Sequence, residues 1–200
     1  MSLSGPPSIS VLLPVFNGAA TLRRAMDSIR AQTRPDWELI VVDDGSADDS
    51  AAIAGSTGDR RVRVIRQPAN LGQTPALNRA LAEARGEWVA RQDADDASHP
   101  GRLERQVAAF ERDPRLVLCG TAGWMIDPAG RVTGAIDLPR GGAGIGWSML
   151  FGNPFVHASV MMRRAAVERS GGYDERFRIC QDYDLWSRLL EMGGGCNLPE

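Results

Sequence analysis

From residue 9 to residue 15 the chain is nearly all apolar and rich in β-branched side chains, and the run closes on Asn17-Gly18. A run of that length ending in a turn signal predicts a strand buried on both faces, as in parallel sheets. Ala20 to Ala31 then carries Leu22, Met26 and Ile29 at helical spacing, which completes a strand and helix unit. The alternation repeats. Trp37 to Val42 predicts a strand, Asp48 to Ala54 a short helix, Arg61 to Ile65 a strand, Thr74 to Ala84 a helix and Glu87 to Arg91 a strand. Strands and helices alternating with short connections imply a parallel sheet covered on both faces, an α/β fold.

Beyond Asp96 the rhythm changes. Gly101 to Glu111 predicts a helix with Leu103, Val107 and Phe110 on one face, and Leu116 to Cys119 a buried strand. Trp124 to Thr133 reads as a hairpin around Asp127-Pro128-Ala129-Gly130, and Arg140 to Gly146 as a glycine-rich loop suited to mobility. Val156 to Met162 predicts a strand, and Asp182 to Met192 a helix that buries Leu185, Leu189 and Met192. The chain stops at Leu198-Pro199-Glu200, where another strand begins to read, so a further C-terminal region is expected.

Two hundred residues at 43% apolar content can bury one substantial core. The net charge of -2 argues against a nucleic-acid binder, which needs a basic surface to neutralise phosphates. All 23 basic residues are arginine. The absence of lysine removes a phosphate-loop Lys and a Schiff-base Lys. Cys119, Cys180 and Cys196 are widely spaced, odd in number and lack a Cys-x-x-Cys pair, so neither a disulfide framework nor a zinc site is indicated and the expected compartment is reducing. No apolar run approaches the roughly 18 residues that span a bilayer.

Ligands of open α/β sheets bind at the carboxyl ends of the strands. Three polar clusters fall at such ends: Asn17, Asp43-Asp44-Gly45-Ser46 and Gln92-Asp93-Ala94-Asp95-Asp96. The second reads equally as a turn followed by an Asp or Ser helix cap. The third is harder to explain structurally. Three carboxylates within four residues repel one another unless something positive sits among them, and a hard divalent cation favours oxygen ligands. Asp93 and Asp95, two apart at a strand end, are expected to point to one side.

These pieces, in their order, resemble the family 2 glycosyltransferases of the GT-A fold. The matching segments are Ile9 to Asn17, Val41-Val42-Asp43-Asp44-Gly45-Ser46, Asn70-Leu71-Gly72, Ala84 to Val89, Gln92 to Asp96 and Arg102-Leu103-Glu104-Arg105-Gln106. Asn153 to Met161, Gly171-Gly172-Tyr173-Asp174-Glu175 and Gln181-Asp182-Tyr183-Asp184-Leu185-Trp186 continue the match. The resemblance implies a Rossmann-like, mostly parallel nucleotide-binding sheet with a smaller acceptor-side region. It implies inverting, metal-dependent transfer of a sugar from a nucleotide-diphosphate-sugar, UDP-linked first among them, to a carbohydrate or lipid-linked acceptor of a cell-surface polysaccharide or glycan. We divide the chain into residues 1–7 as a leader or disordered terminus, 8–98 as the donor half and 99–200 as the acceptor half of the same domain. A cytoplasmic location is expected, with peripheral association at the inner membrane face.

Carried over residue by residue, the resemblance places Pro14, Phe16, Asn17, Asp43, Asp44, Asn78 and Asp93 at the nucleotide. It makes Asp95, with Asp93, the ligand of Mg²⁺ or Mn²⁺ and Asp182 the catalytic base. Read locally, Asp182 is a helix cap, strengthened by Asp184, and it is the resemblance that makes it the base. Two positions depart from the family: Gln181 stands where a Glu is common, and Leu77 where an Arg often reaches the nucleotide. Gln181 and His157 are candidate acceptor or phosphate contacts, His157 being equally a satisfied buried histidine. His99 reads as a turn or cap residue, and Trp124, Trp147 and Trp186 as core or sugar-stacking residues. A nucleotide-sugar-binding module without activity is the alternative, and a sugar nucleotidyltransferase a remoter one, since it needs a glycine-rich phosphate loop and a Lys.

Overall fold

The computed structural model describes residues 5–199, so Met1 to Ser4 of the expected leader, and Glu200, lie outside the described residues. The elements in chain order are β1 (Ile9–Val15), α1 (Ala19–Arg30), β2 (Trp37–Asp43), α2 (Ser50–Gly55), β3 (Val62–Arg66), α3 (Gln73–Ala82), β4 (Trp88–Arg91), α4 (Arg102–Arg112) and β5 (Leu116–Thr121). The ribbon β6 (Gly123–Ile126) and β7 (Val132–Ile136) follows, then α5 (Gly142–Ser148), a 3₁₀ turn (His157–Ser159), β8 (Met161–Arg163), α6 (Arg164–Ser170), α7 (Gln181–Leu190) and β9 (Gly194–Leu198).

Seven strands form one sheet in the order β3-β2-β1-β4-β8-β5-β9. It is parallel except for β8, which runs antiparallel to both β4 and β5. Alternate residues of β1 and β2 feed the two faces. Val11, Leu13, Leu39 and Val41 pack with Leu22, Met26 and Ile29 of α1 and with Leu103, Val107 and Phe110 of α4. Leu12, Ile40 and Val42 pack with Ala76, Leu77 and Ala80 of α3 and with Leu185, Trp186 and Leu189 of α7. Leu77, the departure from the family's Arg, is therefore a core residue. Both clusters draw residues from either side of position 98.

The first half follows its apolar pattern to within a residue or two of each boundary, and the second half departs from it in five places. The sheet is mixed because β8 inserts between β4 and β5. The glycine-rich segment expected as a loop is helical from Gly142, held down by buried Ile145. Of the expected strand at 156–162 only the end is strand. Ser159 turns the chain before it by donating from its backbone N and its hydroxyl to the Val156 carbonyl, both at 2.9 Å. Arg164–Ser170 is a helix that the pattern did not signal. Met192, expected on the buried side of α7, lies past the helix end and is 42% exposed.

Candidate active site

β1 and β2 end side by side, and their loops are laced together. Asn17 accepts from the Ala47 backbone N at Oδ1 (2.9 Å), while its own backbone N donates to Ser46 Oγ (2.9 Å). The first N–H groups of α1, orphaned as in every helix, are met from the β2 side: Gly18 N donates to Ser50 Oγ and Ala19 N to Asp48 Oδ2, both at 2.9 Å. Pro14 is buried in β1. Even-numbered residues of this strand turn their backbone toward β4, as Leu12 shows by accepting from Gln92 N, so the missing N–H of Pro14 falls beyond the last β4 pair and costs the ladder nothing. Phe16 is 48% exposed at the loop tip.

Asp43 is fully buried; its Oδ1 accepts from Ser46 N (3.1 Å), and its Oδ2 makes no hydrogen bond and lies 3.4 Å from Arg66 Nε. Asp44 is spent on the chain itself. Its Oδ1 accepts from Gln67 Nε2 (2.6 Å) and Leu71 N (2.9 Å), and its Oδ2 from Gly72 N (2.8 Å). The expected nucleotide contact at Asp44 is thus a loop anchor. Gly45 between the strand end and this loop has φ +74°, and a Cβ there would meet the Ala69 backbone at 2.6 Å, so only glycine fits.

At the end of β4 the crowded carboxylates find a positive charge within the protein. Arg91, fully buried, donates from Nη2 to Asp93 Oδ1 at 2.6 Å and from Nη1 to the Gln92 carbonyl. The repulsion therefore does not by itself demand a cation. Asp95 is exposed, and its backbone carbonyl accepts from Arg24 at 2.8 Å. Asp96 has its carboxyl pushed above its ordinary value, by partial removal from water first and then by Asp93 and Asp95. Among the described residues no group of three or more His, Cys, Asp or Glu converges to hold a metal ion. Behind the loop, Arg102 of α4 is buried and donates to Ser98 Oγ (2.8 Å) and to the Arg91 carbonyl (2.7 Å). Burial pulls its guanidinium down to about 10, which leaves it charged at neutral pH.

Opposite stands the first turn of α7. Cys180 occupies the cap position and Asp182 lies inside the turn, so Asp182 is not the helix cap. Its Oδ2 accepts from Asn153 Nδ2 at 2.7 Å. Gln181 is buried and donates to Gln73 Oε1 (2.9 Å), and Gln73 donates to Asp93 (3.4 Å). Tyr173, 2% exposed, has its hydroxyl 3.1 Å from His157 Nε2. Burial pushes its phenol up, with Asp182 and Asp93 adding to the shift and Arg91 opposing it. His157 packs against Tyr173 and Trp186 at 5.8 and 5.9 Å between ring centroids; burial, then Arg91, holds it well below its ordinary value and keeps it neutral.

The structure thus brings Asp93, Gln181, His157 and Asp182 around one floor, with Asn17, Asp43 and Phe16 at the neighbouring strand ends. Asn78 is not among them. It donates to the Tyr173 carbonyl (2.8 Å) and Glu175 Oε1 (2.9 Å) and accepts from Tyr173 N (3.0 Å), so it clamps the 172–175 turn instead of meeting a nucleotide. His99 is the turn residue before α4, with Nδ1 accepting from Gly101 N at 3.2 Å. Trp186 is core, whereas Trp124 (70%) and Trp147 (67%) are exposed. Arg91, Gln73, Asn153 and Tyr173 were not foreseen as site residues. Asn17 (φ +51°) and Cys180 (φ +61°), the non-glycine residues in the left-handed region among those described, head the two loops of the site, where such strain concentrates. A depression of about 840 Å³ lined by Arg115, Leu116, Arg163 and Gly194 opens at the amino ends of β5 and β9, away from this floor.

Residues 10–170 match the sequence profile of Glycosyl transferase family 2. The chain belongs to glycosyltransferase family 2. Among its relatives in the family, the putative glycosyltransferase EpsE of Bacillus subtilis (strain 168) is 38% identical over 99% of this chain and 72% of its own length. The amylovoran biosynthesis glycosyltransferase AmsE of Erwinia amylovora is 31% identical over 96% and 73%. The family's GT-A fold is matched by S. aureus TarS 1-349 in complex with UDP, with a TM-score of 0.79, 20% identity and 96% of this chain covered. The mannosyltransferase PcManGT from Pyrobaculum calidifontis, in complex with GDP-Man and Mn2+, gives a TM-score of 0.75 at 21% identity over 98% of this chain. The chain spans 58% and 56% of those two structures. Among the described residues no helix is long and apolar enough to cross a membrane.

Proposed function

We propose that the chain transfers a sugar from a nucleotide-diphosphate-sugar to an acceptor hydroxyl with inversion, using Asp182 as base, in the assembly of a cell-surface polysaccharide or glycan. The observation that carries this reading is the position of Asp182. Its carboxylate, in the first turn of α7, is held by a single side-chain bond from Asn153 and adjoins Gln181, whose contact with Gln73 leads across to Asp93. An inverting displacement needs one base on the acceptor side of the anomeric carbon, opposite the nucleotide, and a carboxylate with lone pairs to spare can take the hydroxyl proton as the bond forms. Tyr173, its phenol pushed up by burial, stays protonated, and His157 Nε2 is engaged by the Tyr173 hydroxyl at 3.1 Å.

On the donor side, Phe16 offers an exposed ring to the base, and the unbonded Oδ2 of buried Asp43 is an acceptor awaiting a base N–H. Pro14 backs this pocket, while Asn17 and Asp44 shape its loops. Asp95, exposed, with Asp93 and Asp96 beside it, is a hard oxygen donor suited to Mg²⁺ or Mn²⁺, the remaining ligands coming from diphosphate and water. Bound there, the ion would neutralise charge on the departing diphosphate. TarS with UDP and PcManGT with GDP-Man and Mn2+ support both assignments. Residues 8–98 then serve the donor and 99–200 a carbohydrate or lipid-linked acceptor, at the cytoplasmic face.

Calorimetry with UDP, GDP, dTDP and CMP in Mn²⁺ or EDTA identifies the donor class, and Asp95→Ala is expected to abolish the Mn²⁺-dependent part of binding. Asp182→Asn should retain nucleotide affinity and lose about 10²- to 10⁴-fold in turnover. An active Asp182→Asn enzyme sinks the base, and equal affinity in EDTA and Mn²⁺ sinks the metal.

A further inference from the structure

An ionised carboxylate only accepts hydrogen bonds, and a primary amide has one accepting and one donating end. Those two rules fix the direction of the contacts that cross the floor. Gln73, the first residue of α3, reaches Asp93 Oδ1 at 3.4 Å and must present Nε2 to it. Its Oε1 is then what faces Gln181, 2.9 Å away, and Gln181 must donate. Gln181 is 7% exposed and directly precedes Asp182.

We propose that Gln73 and Gln181 form a one-way hydrogen-bond relay that positions Asp93 from the acceptor side of the cleft, and that an amide stands at 181 because the relay needs a donor there. The inference rests on the reading of Asp93 as a donor-nucleotide contact. Both glutamines are positioning residues. A Glu at 181 could only accept. Gln73 would turn to donate to it and would bring its Oε1 against the Asp93 carboxylate, acceptor against acceptor. Arg91 would still hold Asp93 Oδ1 at 2.6 Å, so Asp93 would be fixed from one side only.

The test compares the wild type, Gln181→Glu, Asp93→Asn and the double variant, with UDP and MnCl₂ as the calorimetric probe and the ligand-free unfolding midpoint as a second readout. Gln181→Glu is expected to weaken UDP binding about two- to tenfold, the worth of one neutral hydrogen bond, and to lower the midpoint. In Asp93→Asn the amide oxygen stays on Arg91 and Nδ2 can swing to the Gln73 oxygen, so in that background Gln181→Glu should cost less than in the wild type in both readouts. The recovery should persist at about 1 M salt, where the screening length is about 3 Å. Equal penalties in both backgrounds overturn the relay, as does a recovery that salt removes, which would be charge repulsion across the cleft. If Asp93→Asn alone leaves UDP binding unchanged, the nucleotide reading of Asp93 falls, and recovery of the midpoint still decides the relay.

Discussion

Asp44 at the end of β2 and Asp182 at the start of α7 are both carboxylates in segments that resemble the family, yet the protein holds them in opposite ways. Asp44 is 3% exposed and takes three donors from residues 67–72, which fixes the loop that leads into α3. Asp182 is half-buried, with one side-chain donor, and keeps accepting capacity open to the cleft. A saturated carboxylate builds a site, and an unsaturated one works in it. Their neighbourhoods differ likewise: Asp44 consumes the donors of the loop that follows β3, while the segment before Asn153, which holds Asp182, leaves Trp147, Leu150 and Phe151 facing outward.

The largest expected effect tests that contrast directly. Asp44→Ala strands two backbone N–H groups and the Gln67 amide, and should destabilise the fold by about 3 kcal/mol, with nucleotide affinity falling as the loop loosens. Asp182→Asn should change stability by less than about 0.5 kcal/mol. Urea unfolding measures both. A fully stable Asp44→Ala protein that merely fails to bind nucleotide would return Asp44 to the ligand and erase the distinction.

Why the sequence revealed one half better than the other follows from the range of the forces involved. β1, β2 and β4 and the helices α1 and α3 carry long apolar patterns whose period alone fixes their type, and their ends locate the strand-end clusters. α5 carries three glycines in seven residues, so local propensity argues against a helix; Ile145 in the core and the Tyr183 hydroxyl on the Met149 carbonyl hold it in place, and both are tertiary contacts. The assignment of polar side chains fails for the same reason. Asp44 finds its partners 23 to 28 residues away, Asn78 finds Tyr173 95 residues away, and Gln73 finds Gln181 108 residues away. A motif names the carboxylates that gather at a strand end, but which of them keeps a free lone pair depends on those distant donors.

A smaller effect probes the shared floor through pH. His157 is neutral and its folded-state value lies well below 6.5, burial being the first cause and Arg91 the second, with Tyr173 hydrogen-bonded to its ring. The unfolded chain therefore binds a proton near pH 6.5 that the folded one refuses. Stability should be intact above that value and fall as pH drops through it, with a slope of at most about 1.4 kcal/mol per pH unit. His157→Gln should remove this slope in urea titrations between pH 7.5 and 5.5. An unchanged slope would mean that His157 takes up its proton in place, and the floor would then hold a cation between Asp93 and Asp182.

The smallest effect on stability concerns the outward-facing side of the acceptor half. Trp147 (67% exposed), Leu150 (71%) and Phe151 (75%) lie on and just after α5, with Trp147 and Phe151 in ring contact at 5.3 Å. Asn153, two residues on, holds Asp182, so this apolar group borders the proposed base. In water it contributes little to the fold, and Trp147→Ser with Phe151→Ser should move the urea midpoint by less than about 0.5 kcal/mol per site. Its arrangement suits an acceptor that brings apolar surface of its own, either a sugar's C–H face or a lipid link. With the donor saturating, the double variant should raise the acceptor KM while nucleotide affinity stays at the wild-type value. Loss of nucleotide binding would show that the segment from Trp147 to Asn153 orders both sides of the cleft, and the contrast between the anchored Asp44 loop and the open α5 segment would have to be redrawn.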